Sequence, residues 1–317
     1  MKIKNTETFG IQRKIVANMT SESWETIPHV AYVYEADVTE FWEEYRRLNQ
    51  NRGGGRKITI NTLMLKVICE GLRAAPAMNA HIEFNRRFVR GKIHTMDQID
   101  ISMPMVLPNG EMMTINLRDF GTKDLDEMTE YLADVNARLE NTNLQEAMLS
   151  VSVANTIDGL KKGQVGQAVT RLLGSKVGKD RIRRLSGRAK KEYKAIPETQ
   201  RITKRDIEQG TVTVSNIGST YRQQKGAMAL LEIIPPQVCA FGIGAVQEKP
   251  GIATKKSGKK EIAIRKILPI CIAFDHRALD FAEIVPFMKR LDDIFEGPAV
   301  IHQWTGQTAL LFRKAAA

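Results

Sequence analysis

The hydrophobic period changes repeatedly along the first half of the chain. In IQRKIVANMTSESW, Ile11, Ile15 and Met19 fall at helical spacing, which predicts an amphipathic helix stopped by Pro28. HVAYVYEADV then alternates, the period of a half-buried strand. Asp37, with Glu40 three residues on, predicts the start of a second helix through FWEEYRRLNQ, closed by the loop NRGGG. INTLMLKVICEGLRAAP reads as an apolar helix ending at Pro76. AHIEFNRRFVRG and IDISMPMVLPNGEMMTINLRD read as hairpin-like strands, with Pro108, Asn109 and Gly110 supplying turn chemistry. KDLDEMTEYLADVNARLEN returns to the helical period.

Beyond a basic segment that reads as irregular or partly helical, Thr203 is placed to cap a short helix in KRDIEQ, and Gly210 leads into the strand TVTVSN. PQVCAFGIGAV reads as a buried strand, KKSGKK as a charged hairpin tip and EIAIRKILPICIAF as a long strand. LDFAEIVPFMKRLDDIF closes the chain with a helix. Helices and mainly antiparallel strands mixed along one chain predict an α+β layered domain around a large sheet.

Composition narrows the class. The 317 residues are 43% hydrophobic, enough for one large core or two modest ones. No stretch approaches the ~18 consecutive apolar residues of a membrane span, and MKIKNTETFG lacks the apolar region of a secretory signal. Cys69, Cys239 and Cys271 sit singly in apolar segments, which disfavours a disulfide framework or a structural zinc site and points to a reducing, cytoplasmic setting. The formal net charge is +11, yet residues 161–205 hold 15 Lys or Arg against Asp180, Glu192 and Glu198. The rest of the chain therefore nets about −1. One segment is basic, and it lacks stacking aromatics, a helix-turn-helix pattern or zinc-finger spacing, which disfavours a nucleic-acid partner.

The candidate chemistry lies in CIAFDHRALDFAE, residues 271–283, where an apolar strand ends in Asp-His-Arg and Asp280 follows His276 by four positions. A neutral imidazole takes a proton from a thiol or hydroxyl near neutrality, help worth about 10²- to 10⁴-fold. An acyl transfer also needs a donor for its oxyanion. Ser215, at the end of TVTVSN and before a glycine turn, is the best candidate. The plainer roles are a strand-end histidine, a serine bonding its own backbone, and Asp280 as the cap of the following helix.

Five segments in order resemble the catalytic domain of the dihydrolipoamide acyltransferase component of 2-oxo acid dehydrogenase complexes, a chloramphenicol acetyltransferase-like fold. They are RKIVANMTSESWETIPHVAYVYEADVTEF, DISMPMVLPNGEMMTINLRD, ITKRDIEQGTVTVSNIGS, IIPPQVCAFGIGAV and LPICIAFDHRALD. The resemblance implies a two-layer α+β domain with a large mixed sheet packed against helices. It implies His276 as the base that deprotonates a coenzyme A or dihydrolipoamide thiol, Ser215 as the oxyanion donor, and Asp280 as the residue that holds the histidine's surroundings. No metal is implied. The site would lie between subunits of a homotrimer, with further assembly into a cage left open. The implied partners are a lipoyl carrier protein and 2-oxo acid dehydrogenase subunits, with no membrane.

The expected organisation is one catalytic domain over residues 1–317 with a basic insertion at about 161–205, and no lipoyl or peripheral-subunit-binding domain. That insertion reads either as a solvated surface loop or as a docking arm for anionic carriers. Phe281 departs from the glycine the family usually places after the signature's last Asp. Two rival readings remain: an acyl-coenzyme A-dependent transferase acting on a small alcohol or amine, and a non-catalytic assembly core.

Overall fold

The computed structural model describes residues 2–52, 55–106, 112–143, 146–147, 185–254 and 257–306. In chain order its elements are α1 (Ile11–Thr26), β1 (His29–Asp37), α2 (Thr39–Gln50), α3 (Ile60–Ala74), β2 (Ala80–Asn85), β3 (Arg90–Thr95), β4 (Ile101–Val106), β5 (Met112–Leu117) and α4 (Leu125–Glu140). There follow α5 (Gly187–Ala195), α6 (Lys204–Ile207), β6 (Val212–Asn216), α7 (Ile217–Thr220), β7 (Cys239–Ile243), β8 (Gln247–Thr254), β9 (Lys260–Asp275) and α8 (Phe281–Glu296). The Pro108–Gly110 turn, Arg181, Arg183 and Arg184 of the basic segment, and the C-terminal ALLFRKAAA lie outside the described residues.

The chain divides into two compact units. The first comprises residues 1–22, 106–113 and 134–208. Its best-defined polar knot is Arg138, which donates to Asp134 and to Asp206 at 2.8 Å each. Burial opposes the charge on Asp206, but hydrogen bonds from Thr203 and Arg138 outweigh it and hold the carboxyl below its usual range. Thr203 and Asp206 form the cap of α6, as the sequence predicts.

The second unit, residues 23–105, 114–133 and 209–317, carries the sheet core and every candidate site residue. The sheet runs β1-β9-β7-β6-β4-β5, with β8 paired to β9. β1 and β7 flank β9 in antiparallel register, but β4–β6 and β6–β7 are parallel. The sheet is thus mixed, with most of its pairings antiparallel, as expected. The two parallel joins place the ends of β6 and β7 side by side.

Side chains alternate across β9. Phe241 of β7, in register with Ile272, stacks on Phe287 of α8 at 5.1 Å, so this face packs on helices. Phe295 of the same helix meets Phe41 of α2 edge-on at 5.1 Å. The opposite face carries the small residues Ala240 and Ala273, covered by Ile27, Ile233, Leu230 and Leu231. Layering follows from residue size: aromatics meet helices, and alanines admit an extended segment.

The first half of β9 leaves the sheet as a ribbon with β8. Ile252 pairs with Ile262 and Pro250 with Ile264. The three isoleucines are 69%, 83% and 75% exposed for Ile252, Ile262 and Ile264. β2 and β3 form a separate hairpin, joined at its base to the segment before β7 by the bridge from His81 to Gln237.

The predicted start of α2 is met with the cap displaced by one residue. Val38, not Asp37, occupies the N-cap of α2. Asp37 accepts from Arg265 at 2.6 Å, and Glu40 accepts from the same guanidinium at 2.6 Å. Asp37 Oδ1 still accepts from the Thr39 amide at 3.1 Å and the Thr39 hydroxyl at 2.6 Å, so the carboxylate serves the first turn of α2 and the distant cation together.

Candidate active site

His276 is presented by a clamp built from its two neighbours. Asp275 ends β9 fully buried, and its carboxylate accepts from Arg277 Nε at 2.9 and 3.1 Å, Nη2 at 2.6 Å and the Arg277 amide at 2.9 Å. The amides of Ala278 and Leu279 return to the Asp275 carbonyl at 3.0 and 3.1 Å. The His276 amide donates to Pro28 at 3.1 Å, tying the turn to the start of β1. With both neighbours fixed, the imidazole projects outward, its side chain 52% exposed.

The surroundings of that ring select its tautomer. Nδ1 lies 3.2 Å from the Leu279 carbonyl and 3.4 Å from Asp280 Oδ1. Both groups accept, so Nδ1 carries the hydrogen in the neutral ring and Nε2 keeps its lone pair. Nε2 has no partner among the described residues. Asp280 is also the N-cap of α8, where Glu283 accepts from its amide at 2.8 Å. The capping position and the approach to His276 hold together. Phe281, which follows, begins α8, stays half-exposed and meets Tyr32 edge-on at 5.7 Å.

Ser215 sits half-buried near the end of β6, and its hydroxyl has no partner among the described residues. Its neighbours are strongly fixed. Thr213, on the same face, donates to Gln237 at 2.7 Å. Asn216 donates to Asn61 at 2.7 Å and accepts from the Ser219 amide at 2.9 Å, capping α7. A Cβ on Gly218 would run into the Gly244 carbonyl, so glycine is required for α7 to pass that close to the end of β7.

Register keeps the two candidates apart in one chain. Ser215 lies opposite Gly242, which lies opposite Cys271. Cys271 precedes His276 by five residues, about 16 Å along a strand, and two strand spacings of roughly 4.8 Å separate its row from Ser215. The structure therefore brings Asp280 to His276 but not Ser215.

Burial disfavours the thiolate form of the chain's own three cysteines. Burial pushes Cys69 up to about 12 and Cys271 up to about 11, and it raises Cys239 further. Sequence reasoning passed over His29, whose signal was its place in Ile-Pro-His-Val. Its Nδ1 bonds the Ile27 carbonyl at 2.9 Å and its Nε2 accepts from the Ile233 amide at 3.1 Å. Stacked on Trp24 at 5.2 Å, it pins residues 230–233 over the small-residue face and keeps no free nitrogen for catalysis.

A model of the 2-oxoacid dehydrogenases acyltransferase (catalytic domain) matches residues 2–156 and 177–303. The chain belongs to that family. The family match omits residues 157–176, at the start of the basic segment. The lipoamide acyltransferase component of the branched-chain alpha-keto acid dehydrogenase complex of Pseudomonas aeruginosa is 22% identical, covering 92% of this chain and 51% of the relative. The chain spans about half the length of the curated relatives it matches. Among solved structures, the cubic core of the pyruvate dehydrogenase multienzyme complex superposes with a TM-score of 0.61 at 17% identity, covering 95% of this chain and 94% of that one. The Azotobacter vinelandii dihydrolipoamide acetyltransferase gives a TM-score of 0.60 at 17% identity, with the same two coverages. The catalytic mechanism of that enzyme was investigated at a serine, a histidine and an asparagine four positions after the histidine. The α+β expectation, with a large mixed sheet packed against helices, is met, and the fold is that of these acyltransferase cores.

The clamp makes a stability prediction. Arg277→Ala strands the fully buried Asp275 carboxylate and is expected to cost about 3–5 kcal/mol, the penalty of breaking a buried pair from one side. Urea unfolding of the variant beside the parent measures it.

Proposed function

We propose that the chain catalyses thiol-to-thiol acyl transfer between a dihydrolipoyl group and coenzyme A. The observation that carries the reading is the His276 imidazole, held by Leu279 so that Nε2 faces outward with its lone pair unused. Nε2 takes the proton of an incoming thiol, and the thiolate adds to the thioester carbonyl of the acyl donor. The oxyanion is stabilised by the Ser215 hydroxyl, and the proton passes from the imidazole to the departing thiolate. Asp280, 3.4 Å away, holds the ring in place.

A complete site then needs a second copy of the chain, with His276 from one subunit and Ser215 from its neighbour. The strand register supports this arrangement, since one chain keeps the two apart. A homotrimer is the proposed working unit, and relatives that form cubic cores favour further assembly. The lipoyl group is proposed to arrive on a carrier, in a cytoplasmic complex with 2-oxo acid dehydrogenase subunits. Curated relatives are named for a dihydrolipoyllysine residue, a thiol borne by a protein. No helix among the described residues is long and apolar enough to cross a membrane. No group of three or more His, Cys, Asp or Glu among the described residues is arranged to hold a metal ion.

The test separates coenzyme A from acetyl-coenzyme A by chromatography after incubation with dihydrolipoamide. Thiol exchange leaves the number of free thiols constant, whereas transfer to an alcohol or amine releases one. Release of thiol with such acceptors alone supports the rival transferase, and the absence of any turnover supports the assembly core. Shared sites predict complementation. His276→Ala and Ser215→Ala chains, each inactive alone, are expected to recover about a quarter of parental activity when co-assembled in equal amounts, because each site draws its two residues independently from two subunits. An active monomer by light scattering, or no recovery in mixed assemblies, removes the shared site.

A further inference from the structure

The β2–β3 hairpin stands beside the Asp-His-Arg turn and carries a charge that the catalytic chemistry does not use. Arg277, the outer arm of the clamp, lies over the Phe84 ring at 5.6 Å. The hairpin base is fixed by the Ile82 amide, which donates to Pro236 at 2.8 Å, just before the segment whose Val238 carbonyl accepts from Asp275. The same short stretch thus positions both the hairpin and the end of β9.

From Glu83 to Lys92 the hairpin holds Arg86, Arg87, Arg90 and Lys92 against the single acid Glu83. Outside residues 161–205 the chain nets about −1, so this is a concentrated positive tip on an otherwise balanced surface. Arg86, Arg87 and Arg90 have no carboxylate partner among the described residues, and Glu83 itself lies 3.8 Å from His94. The tip is also apolar: Phe88 is 64% and Val89 79% exposed, with Phe84 and Ile93 at 40% and 50%. Val89 takes a left-handed backbone with φ 47°, a conformation that a β-branched residue rarely adopts. The loop sets its bulky apolar residue outward at a conformational cost.

Arginine with exposed aromatic and aliphatic groups is the composition of a protein interface. A small anionic ligand needs the cations, but it has no use for an uncovered valine and phenylalanine on a protruding loop. If the thiol substrate is carried by a protein, that protein must be brought to the His276 end of the site. We propose that the β2–β3 tip docks the acidic face of the protein that delivers the dihydrolipoyl thiol, with Arg86, Arg87 and Arg90 steering its approach and Phe88 and Val89 seating it. This rests on the acyl-transfer reading above. Overlapping fields of three cations within a Debye length accelerate encounter more than they tighten the final complex.

The test uses the full chain, the triple variant Arg86→Glu, Arg87→Glu, Arg90→Glu, and an acidic lipoyl domain reduced to its dithiol. Near 20 mM salt the variant is expected to lose about 10-fold or more in kcat/KM for the lipoyl domain, and less than about 2-fold for free dihydrolipoamide. The two proteins converge toward 300 mM salt as screening becomes strong, on the order of a few ångströms of Debye length. An unchanged ratio of the two rates at every salt overturns the docking. Equal loss with both thiols and a raised KM for coenzyme A also overturns it, assigning the tip to the nucleotide phosphates instead. Binding of the lipoyl domain, measured by calorimetry without turnover, separates the two levels. Binding by the parent that the variant loses supports docking even where no acyl transfer occurs, and equal binding or none overturns docking even where transfer is fast.

Discussion

Replacing His276 with alanine is expected to lower the proposed thiol-to-thiol transfer at least ~10²-fold, the lower end for a lost general base. The substitution is expected to leave the fold intact, because the ring is half-exposed and its polar partners among the described residues are the Leu279 carbonyl and the Asp280 carboxylate, beside an edge-on contact with Phe274 at 6.1 Å. Water reaches both after truncation, so no buried acceptor is stranded. Asp275 and Arg277 still hold the turn. Turnover measured at saturating coenzyme A and dihydrolipoamide, beside a thermal unfolding curve that does not move, isolates the chemical loss. Added imidazole is expected to restore a fraction of the rate, since the space left by the ring opens to solvent. Near-parental turnover in the folded variant would remove His276 from the mechanism.

Ser215→Ala is expected to reduce kcat by about 10²-fold with little change in KM. A hydroxyl that donates to an oxyanion acts where charge develops and not on the bound ester. The structure makes the measurement clean. The Ser215 hydroxyl has no partner among the described residues, so its loss orphans none of them, while the cap made by Asn216 and the bond from Thr213 to Gln237 remain. Steady-state kinetics with each substrate varied in turn decides the role. A raised KM with kcat unchanged would make Ser215 a binding residue.

The sequence exposed those parts of the fold whose period and punctuation are local. β9 was legible because an alternating stretch passes into an unbroken apolar run, and the structure shows why. Its first half is a two-stranded ribbon, and its second half is flanked on both sides by β1 and β7. α6 was legible from Thr203 because a capping box closes within four residues. The parallel pairing of β6 with β4 and β7 was not legible, since each join crosses a long connection and leaves no mark on the strands.

The same division runs through the site. The spacing of His276 and Asp280 survives intact, as four residues on one turn. The tautomer does not show in the sequence, because it depends on a backbone carbonyl that only the folded turn aims at Nδ1. Arg277 and Asp275 could be read as signature letters but not as a clamp. Asp37 and Glu40 marked the start of α2 correctly, but their pairing with Arg265 was not legible, since that cation lies more than two hundred residues away.

The β8–β9 ribbon bears on how this chain behaves in bulk. A flat edge strand studded with exposed isoleucines is the usual seed of runaway sheet growth, in which each added molecule presents the edge that recruits the next. β8 carries Pro250 in its middle, a residue with no amide hydrogen to offer, and its neighbours Glu248 and Lys249 are charged. The edge is therefore interrupted at the level of the backbone while the apolar side chains stay uncovered. Such a ribbon favours contacts that close after a few molecules over those that propagate along the β8 edge, with Pro250 on one strand guarding isoleucines borne by both.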